Sequence, residues 1–262
     1  MKNKFSNIAG TTLVEILIGI VISVLMMAAI FTSYSAINNT YSQVIDKAKI
    51  SQTGRDIIGM LIRDIRIAGF KYFDDVSKAP VNYIPILITK NSSGCDKLQL
   101  IYGDRNYNPK ITPPYTFVTY KVTYECKASN IVDKKTAQKI NAFAIYKSKS
   151  KWDGTKWAKA TASTDDLLYT DELVVDHVQD LIFNPVDEKG KLINPPPANL
   201  SGSNKIKVID IAFSIRSQGE FFKKDKTKTM YSLGNKANKN FTDKYLRESI
   251  VVTAHTRNMG LE

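Results

Sequence analysis

An apolar run close to the N-terminus, from Leu13 to Phe31, constrains this chain more than any other feature of its sequence. As a helix rising 1.5 Å per residue the run is about 28 Å long, which matches the roughly 30 Å core of a lipid bilayer. The only charged side chain in the range 11–45 is Glu15. We therefore predict one membrane-spanning helix, and Lys2 and Lys4 before it predict a cytoplasmic N-terminus with the rest of the chain facing outward.

Two ordinary explanations of such a run fit the sequence less well. A secretory signal peptide is cleaved after its apolar stretch, but no small-residue A-x-A boundary follows Phe31. A plain signal anchor leaves Glu15 unexplained, because a carboxylate deep in a membrane helix costs roughly 2.5 to 3.5 kcal/mol when it has no partner. The sequence thus predicts a partner that compensates the charge of Glu15.

The short basic leader, Gly10 and the following TTLVE resemble the class III signal of type IV prepilins, in which Gly usually precedes FTLVE or FTLIE. The resemblance implies that a prepilin peptidase cleaves between Gly10 and Thr11 on the cytoplasmic face and methylates the new amino group of Thr11. Thr11 departs from the pattern, since most members have Phe or Met there. Glu15 becomes the fifth mature residue and is expected to pair with the N-terminal amine of a neighbouring subunit, so that two buried charges neutralise each other only when subunits dock in register.

The helical pattern continues beyond the apolar run. Apolar residues recur at spacings of three and four, with basic residues between them, at Tyr34, Ile37, Tyr41, Val44, Ala48, Ile58, Leu61, Ile65 and Ala68. No proline occurs before Pro80 and Gly69 is the expected stop, so one helix is predicted from about Thr12 to about Ala68. At Gly54 we expect close packing of this helix on a sheet; a bend that fits the helix into a filament is the alternative.

Beyond Gly69 short runs of β-branched and aromatic residues alternate with polar ones, which is typical of a sheet with one buried face. Six runs are predicted strands: KLQLIYG from Lys97, TFVTYKVTYEC from Thr116, NAFAIYKS from Asn141, HVQDLIFNPV from His177, KVIDIAFSIRS from Lys205 and ESIVVTAHTRN from Glu248. KWDGTKW predicts a hairpin whose two-residue turn, Asp153-Gly154, lies between two tryptophans. NPPPANLSGSN and KKDKTKTMYSLGNKANKN are predicted loops, and the fold class is α+β.

Both ends of the chain also resemble one group of pilin subunits. RDIIGMLIRDIRIAGF, from Arg55 to Phe70, is similar to a segment of PilW-type minor pilins, and HVQDLIFNPV, KVIDIAFSIRS and TAHTRN are similar to their later strands. The GspJ pseudopilin of type II secretion shares this plan. The resemblance implies the type IV pilin fold, in which a long N-terminal helix packs on an antiparallel β-sheet head. It divides the chain into a leader (1–10), a transmembrane helix half (11–32), an amphipathic helix half (33–69) and a β-rich head (70–262), although the middle segment, about 80–171, does not share the resemblance.

The same resemblance implies a function in filament assembly. The subunit is expected to prime a type IV pilus and to lie at its tip; a GspJ-like pseudopilin of type II secretion is the alternative. Implied partners are other major and minor pilins, the prepilin peptidase, the inner-membrane assembly platform and membrane lipid. The chain is expected in the inner membrane with its head in the periplasm before assembly, and in the pilus at the cell surface afterwards.

Motifs that would indicate catalysis are absent from the sequence. The two histidines, His177 and His255, are far apart, each within a predicted strand, and are interpreted as satisfied surface or edge residues. No GxSxG, Walker, GxGxxG or EF-hand pattern occurs. Three acidic pairs are interpreted as solvated loop charge rather than calcium ligands: Asp74-Asp75, Asp165-Asp166 and Asp171-Glu172. We therefore predict neither an enzyme nor a metal or other cofactor.

The chain has two cysteines, Cys95 and Cys126. In an oxidising compartment such a pair is expected to be bridged, which closes a loop of about thirty residues and stabilises the fold by roughly 3 to 4 kcal/mol. Two buried free thiols are the alternative.

The chain carries a formal net charge of +12, which raises the question of an acidic partner. Two groups of lysines lie beside aromatic residues and could contact DNA through cations and rings. The group around Trp152 and Trp157 comprises Lys147, Lys149, Lys151, Lys156 and Lys159. The group beside Phe221 and Phe222 comprises Lys223, Lys224, Lys226 and Lys228. Solvated loop charge is the favoured interpretation, with DNA contact or surface binding as the alternative.

Overall fold

The computed structural model describes residues 12–70, 83–107, 109–110, 112, 114–132, 137–159, 168–231, 233 and 238–259. Gly10 and Thr11 lie outside these residues, and so do the acidic pairs at 74–75 and 165–166. The chain forms two compact units, residues 1–48 and 49–262. One helix, α1 (Leu13–Ile67), contributes to both.

The described part of the first unit is the N-terminal portion of α1. Its apolar side chains are exposed, and the helix is long and apolar enough to cross a membrane by length and composition. Four hydroxyl groups donate to carbonyl oxygens three or four residues back in the same helix, namely those of Ser23, Thr32, Ser33 and Thr40. Because each of these donors is satisfied within the helix, it can lie in lipid without a missing hydrogen bond.

The second unit contains an antiparallel sheet with the strand order β1-β2-β3-β4-β6-β7-β10, in which β5 pairs with β4, and a separate β8–β9 hairpin. The elements are β1 (Ile86–Thr89), β2 (Lys97–Tyr107), β3 (Tyr115–Ala128), β4 (Phe143–Trp152), β5 (Trp157–Ala158), β6 (Tyr169–Val186), α2 (Leu200–Ser203), β7 (Val208–Arg216), β8 (Lys226–Met230), β9 (Lys239–Asp243) and β10 (Arg247–His255). The predicted α+β architecture, with one long N-terminal helix and an antiparallel sheet, is confirmed.

The C-terminal portion of α1 packs on this sheet through one stripe of buried residues. The stripe comprises Ile50, Gly54, Ile57, Ile58, Leu61, Asp64 and Ile65. It meets a core that includes Tyr124, Leu181, Phe183 and Phe213, all fully buried. Burying each large aliphatic side chain contributes roughly 1.5 to 3 kcal/mol, so this stripe is the main attachment of the helix to the sheet. At Gly54 a Cβ would lie 2.5 Å from Ile250 Cδ1, which confirms close packing at this position.

The helix ends at Ile67, one residue before the predicted end near Ala68 and two residues before Gly69. Gly69 has φ +78°, and a Cβ there would lie 2.9 Å from the carbonyl oxygen of Asn258. Its N–H donates to the Ile101 carbonyl at 2.9 Å, and the Gly103 N–H donates to the Phe70 carbonyl at 2.6 Å. Both the left-handed backbone and the close approach require glycine, and the turn joins the end of the helix to β2.

The six predicted strands correspond to β2, β3, β4, β6, β7 and β10. The predicted tryptophan hairpin is present, with the Trp152 and Trp157 ring centroids 5.2 Å apart, but its turn has four residues rather than two. The reason is Asp153, whose Oδ1 accepts from the N–H groups of Thr155 and Lys156, each at 2.8 Å, and from the Thr155 hydroxyl at 2.9 Å. These bonds close a wider turn than Asp-Gly alone forms.

Both predicted loops contain regular structure. NPPPANLSGSN includes the single turn α2, capped by the Asn199 side chain, which accepts from the Gly202 N–H at 2.7 Å. The lysine-rich segment from Lys223 includes β8 and the start of β9, so its prediction as a loop was wrong. Alternation of Lys with Thr in β8 gives a weak strand signal, and pairing with β9, for example Thr227 opposite Thr242, supplies the rest.

Candidate functional site

Glu15 lies in the first turn of α1 and folds back onto the start of its own helix. Its Oε2 accepts from the Thr12 N–H at 2.9 Å and from the Thr12 hydroxyl at 3.2 Å, and the Thr12 Oγ1 accepts from the Glu15 N–H at 3.3 Å. This is a capping box, in which the first and fourth residues of T-x-x-E satisfy each other's N–H groups. The carboxylate is therefore held at the positive end of the helix dipole.

The capping role of Glu15 was missed at the sequence level, although the spacing in Thr12-Leu13-Val14-Glu15 is its signal. A carboxylate that caps a helix is already partly compensated, because the N–H groups at the helix N-terminus stabilise its negative charge. A neighbouring amine would have to share this carboxylate or displace Thr12 from it. Gly10 and Thr11, the predicted cleavage and methylation positions, lie outside the described residues.

A second carboxylate of α1, Asp64, is buried where the helix meets the sheet. Its Oδ2 lies 2.7 Å from Lys147 Nζ of β4 and accepts from the Tyr124 hydroxyl of β3 at 2.7 Å. Asp64 is 4% exposed and Lys147 8%. Burial, followed by the charge of Asp64, holds the pKa of Tyr124 well above its usual range, so the hydroxyl stays protonated and donates.

This buried network fixes how the helix lies on the sheet. Apolar packing already restricts the helix, and the buried ion pair adds a directional constraint, because a displaced helix would leave both charges uncompensated. Sequence reasoning missed the pair. The available signal was Asp64 itself, which is the only charged residue in the stripe containing Leu61, Ile65 and Ala68.

Cys95 and Cys126 form a disulfide with their Cα atoms 6.0 Å apart. The bridge joins Cys95, two residues before β2, to Cys126 near the end of β3. The next residue, Asp96, is fully buried, and its carboxylate binds Lys90 Nζ at 2.9 Å and the Phe183 N–H at 3.0 Å. The disulfide therefore lies beside the polar contacts of Asp96, which connect this part of the sheet to β6.

The prediction for the histidines is wrong for His177. His255 is exposed at the end of the edge strand β10, but His177 lies in the interior strand β6 and is 5% exposed. Neither ring nitrogen of His177 has a hydrogen-bond partner in the described part of the chain. Burial lowers the pKa of His177, so the ring is held neutral. His177 has φ +63° in a strand with irregular pairing on both sides, a conformation that no sequence pattern predicts.

The acidic pair at Asp171 and Glu172 is on the surface, where the Asp171 Oδ2 binds Lys127 Nζ at 2.7 Å. Within the described ranges no three His, Cys, Asp or Glu residues come together as metal ligands.

The two predicted lysine groups are not single clusters. Lys147 is buried against Asp64, and Lys149 lies 4.1 Å over the Tyr120 ring. The cation over Trp157 is Lys121, which the sequence did not single out, at 4.6 Å from the ring centroid. In the second group Lys226 lies over Phe222, while Lys228 donates to the Arg247 carbonyl. The structure therefore contains lysines stacked on aromatic rings, but these contacts are at separate places and form no single basic patch around the tryptophans or the phenylalanines.

Comparison with known proteins finds only distant structural similarity. No family model matches the chain, and no curated protein matches it. Among solved structures, a type IV-like pilin from Thermus thermophilus superposes with a TM-score of 0.49 and 11% sequence identity, covering 80% of this chain and 96% of that one. At this distance the match identifies neither the family nor the function of the chain.

Proposed function

We propose that this chain is a minor subunit of a type IV pilus, anchored in the inner membrane by the N-terminal part of α1 and then built into the filament. The observation that carries the proposal is a continuous exposed apolar helix with one carboxylate, Glu15, in its first turn. An exposed apolar surface of this extent belongs in lipid or against similar helices. Subunits of a filament require both environments in succession.

Glu15 gives the transfer between these environments a chemical basis. In lipid, the Thr12 N–H and hydroxyl compensate the carboxylate in part. In the filament, the amine of a neighbouring subunit compensates it fully, because opposite charges in a medium of low dielectric attract strongly. Assembly is then favoured only in the register that brings the amine to Glu15.

The Asp64–Lys147 pair supports the same function from the other end of the helix. A subunit drawn from the membrane by its helix must carry its head with it. The buried stripe and the ion pair attach residues 49–67 to the sheet, so that force on the helix is carried by the core of the head.

The type of pilin subunit is proposed from the resemblance of the sequence to PilW-type minor pilins. We propose a PilW-like subunit that is cleaved after Gly10, methylated at Thr11, and placed at the tip with other minor pilins after contact with the prepilin peptidase and the assembly platform. A GspJ-like pseudopilin of type II secretion is the alternative. Neither role requires an active site or a cofactor.

A second candidate function, contact with DNA or another anionic polymer, is favoured by one observation. Burial, and then the charges of Lys97 and Lys159, lower the pKa of Lys121, which lies over Trp157. Lys97 is already paired with Glu125 at 2.9 Å, but an anion beside Lys121 and Lys159 would relieve their repulsion, and the ring offers a stacking surface. Charge reversal at Lys121 that leaves DNA uptake intact would remove this candidate.

Two measurements test the main proposal. Mass spectrometry of the chain purified from sheared filaments should give Thr11 as the first residue; a chain in filaments that begins at Met1 would refute processing at Gly10. Deletion of the gene should remove surface pili if the subunit is PilW-like and abolish secretion if it is GspJ-like. Normal pili together with normal secretion would contradict any role in assembly.

A further inference from the structure

Two arginines lie buried side by side at one end of the sheet. Arg216 ends β7 and Arg247 begins β10, and the two residues are directly opposed in the β7–β10 ladder. They are 7% and 3% exposed. Like charges at directly opposed positions destabilise a sheet, and buried charges require compensation, so this pair needs nearby anions.

Only one of the two guanidinium groups is fully compensated. Arg247 donates to both carboxylate oxygens of Asp243 at 2.6 and 2.7 Å, and its Nε lies 3.5 Å from Gln179 Oε1. Arg216 lies 3.9 Å over the Tyr245 ring, but its buried Nε has no hydrogen-bond partner in the part of the chain that the structure describes. Asp243 binds Arg247 directly, whereas Arg216 is favoured in its charged form only by Tyr245 and by the more remote charge of Asp243, so the two cations have one carboxylate between them.

The third member of this region is His177. Its ring is buried with both nitrogens unpartnered among the described residues. Burial lowers its pKa, the charge of Asp176 raises it, and the charge of Arg216 lowers it, with a net shift downward. The Asp176 carboxylate, next to it in β6, accepts from the His177 backbone N–H at 2.6 Å. The other charge that acts on it is Arg216 in β7, and Arg216 is opposed by Arg247, which binds Asp243 and accepts at its carbonyl from Lys228.

We propose that these residues, which we call the Arg216 cluster (His177, Gln179, Arg216, Asp243 and Arg247), bind one small inorganic monoanion of the chloride type. A monoanion balances the surplus charge of the two arginines against Asp243. Arg216 Nε–H donates to it, and a protonated His177 supplies a second donor. Because Arg216 Nε and both ring nitrogens of His177 are buried, a small ion reaches them more readily than a large organic anion.

The site couples anion binding to pH. A bound anion favours the charged imidazolium of His177, and by reciprocity protonation of His177 favours the anion. The affinity is therefore higher at pH 5.5 than at pH 7.5. Removing the imidazole should leave binding to the arginines but remove this dependence on pH.

The test uses the full chain in detergent micelles. Sodium chloride is compared with sodium gluconate at equal ionic strength, and the thermal unfolding midpoint and the ³⁵Cl NMR line width are measured at both pH values. Chloride should raise the midpoint above its value in gluconate and should broaden the line, more strongly at pH 5.5. Arg216→Gln should lose both effects, His177→Asn should lose their pH dependence, and the exposed control Arg105→Gln should retain both.

Three outcomes would overturn the proposal. They are equal midpoints in chloride and gluconate for the parent chain, a chloride effect that persists in Arg216→Gln, and an effect that disappears equally in Arg105→Gln. Should Arg216→Gln fail to fold, the line width of the parent chain and of His177→Asn decides alone. No broadening in the parent, or the same pH dependence in both chains, would exclude an anion at this cluster.

Discussion

The carboxylate of Asp64 in α1 lies 2.7 Å from the ammonium group of Lys147 in β4, and both side chains are buried. Since removal of one member of a buried pair leaves the other uncompensated, Asp64→Leu should lower the free energy of unfolding by about 3 to 5 kcal/mol. The double variant Asp64→Leu/Lys147→Met should lose much less. Urea denaturation measures both changes, with Arg63→Ala as the control.

Arg63 also approaches Asp64, at 3.5 Å, but its side chain is 73% exposed. Its loss should therefore cost no more than about 1 kcal/mol. A double variant as unstable as the sum of Asp64→Leu and Lys147→Met would show that the two charges are not coupled.

The turn after α1 requires Gly69 both for its left-handed backbone and for its close approach to Asn258. Gly190, which shares only the left-handed backbone, allows the two effects to be measured separately. Gly69 and Gly190 both have positive φ, +78° and +76°, but only Gly69 has backbone where a Cβ would lie. Gly190→Ala should cost about 1 to 2 kcal/mol from the left-handed backbone alone, and Gly69→Ala should cost about 1 to 3 kcal/mol more from crowding against Asn258. Equal losses in thermal or chemical unfolding would exclude the close approach as a constraint.

The Cys95–Cys126 bridge should stabilise the second unit by lowering the conformational entropy of the unfolded chain. The two residues are 31 positions apart, and a loop of that size corresponds to about 3 to 4 kcal/mol in the chain-entropy model. The double variant Cys95→Ser/Cys126→Ser, and the parent chain in reductant, should show this loss in urea denaturation. Mass spectrometry of exported protein should find no alkylatable thiol before reduction; two such thiols would contradict the bridge.

His177 should make stability depend on pH when chloride is absent. Its pKa in the folded chain is lowered by burial below the unfolded value of 6.5, so the unfolded state binds the proton more readily. The stability that the neutral ring provides is fully present above pH 6.5 and is lost as pH falls through the lower, folded pKa. In gluconate buffer His177→Asn should flatten this part of the curve, and His255→Asn should not. A slope unchanged in His177→Asn would assign it to other groups.

The sequence predicted those parts of the fold whose causes are local. The helix and its end near Gly69, six strands and the tryptophan hairpin follow from apolar spacing, glycine and alternation. The contact of Asp64 with Lys147 and the two opposed arginines could not be predicted in this way, because each joins residues distant along the chain. Strand β8 was missed because its alternation of lysine and threonine carries little apolar signal. The strained backbone of His177 has no sequence signature at all.

In the candidate site, too, local features could be predicted from the sequence and contacts between distant residues could not. Glu15 was singled out for its charge, but its bond to Thr12 was overlooked although T-x-x-E is a local signal. The sequence grouped Trp157 with lysines near it along the chain, whereas the cation over its ring is Lys121 of β3, two strands away from the ring's own strand β5. Proximity along the chain is a poor guide to which side chains meet across a sheet.

The measurement that tests the central claim most directly compares Glu15→Gln with Glu15→Leu. Gln can keep the capping box with Thr12 but has no charge, whereas Leu keeps neither. The parent and both variants are expressed in the deletion strain, and the amount of the chain in sheared filaments is measured by quantitative immunoblot against the amount in the membrane. If the charge pair drives assembly, both variants should remain in the membrane. If Glu15→Gln enters filaments as well as the parent, Glu15 acts only as a helix cap and the account is wrong.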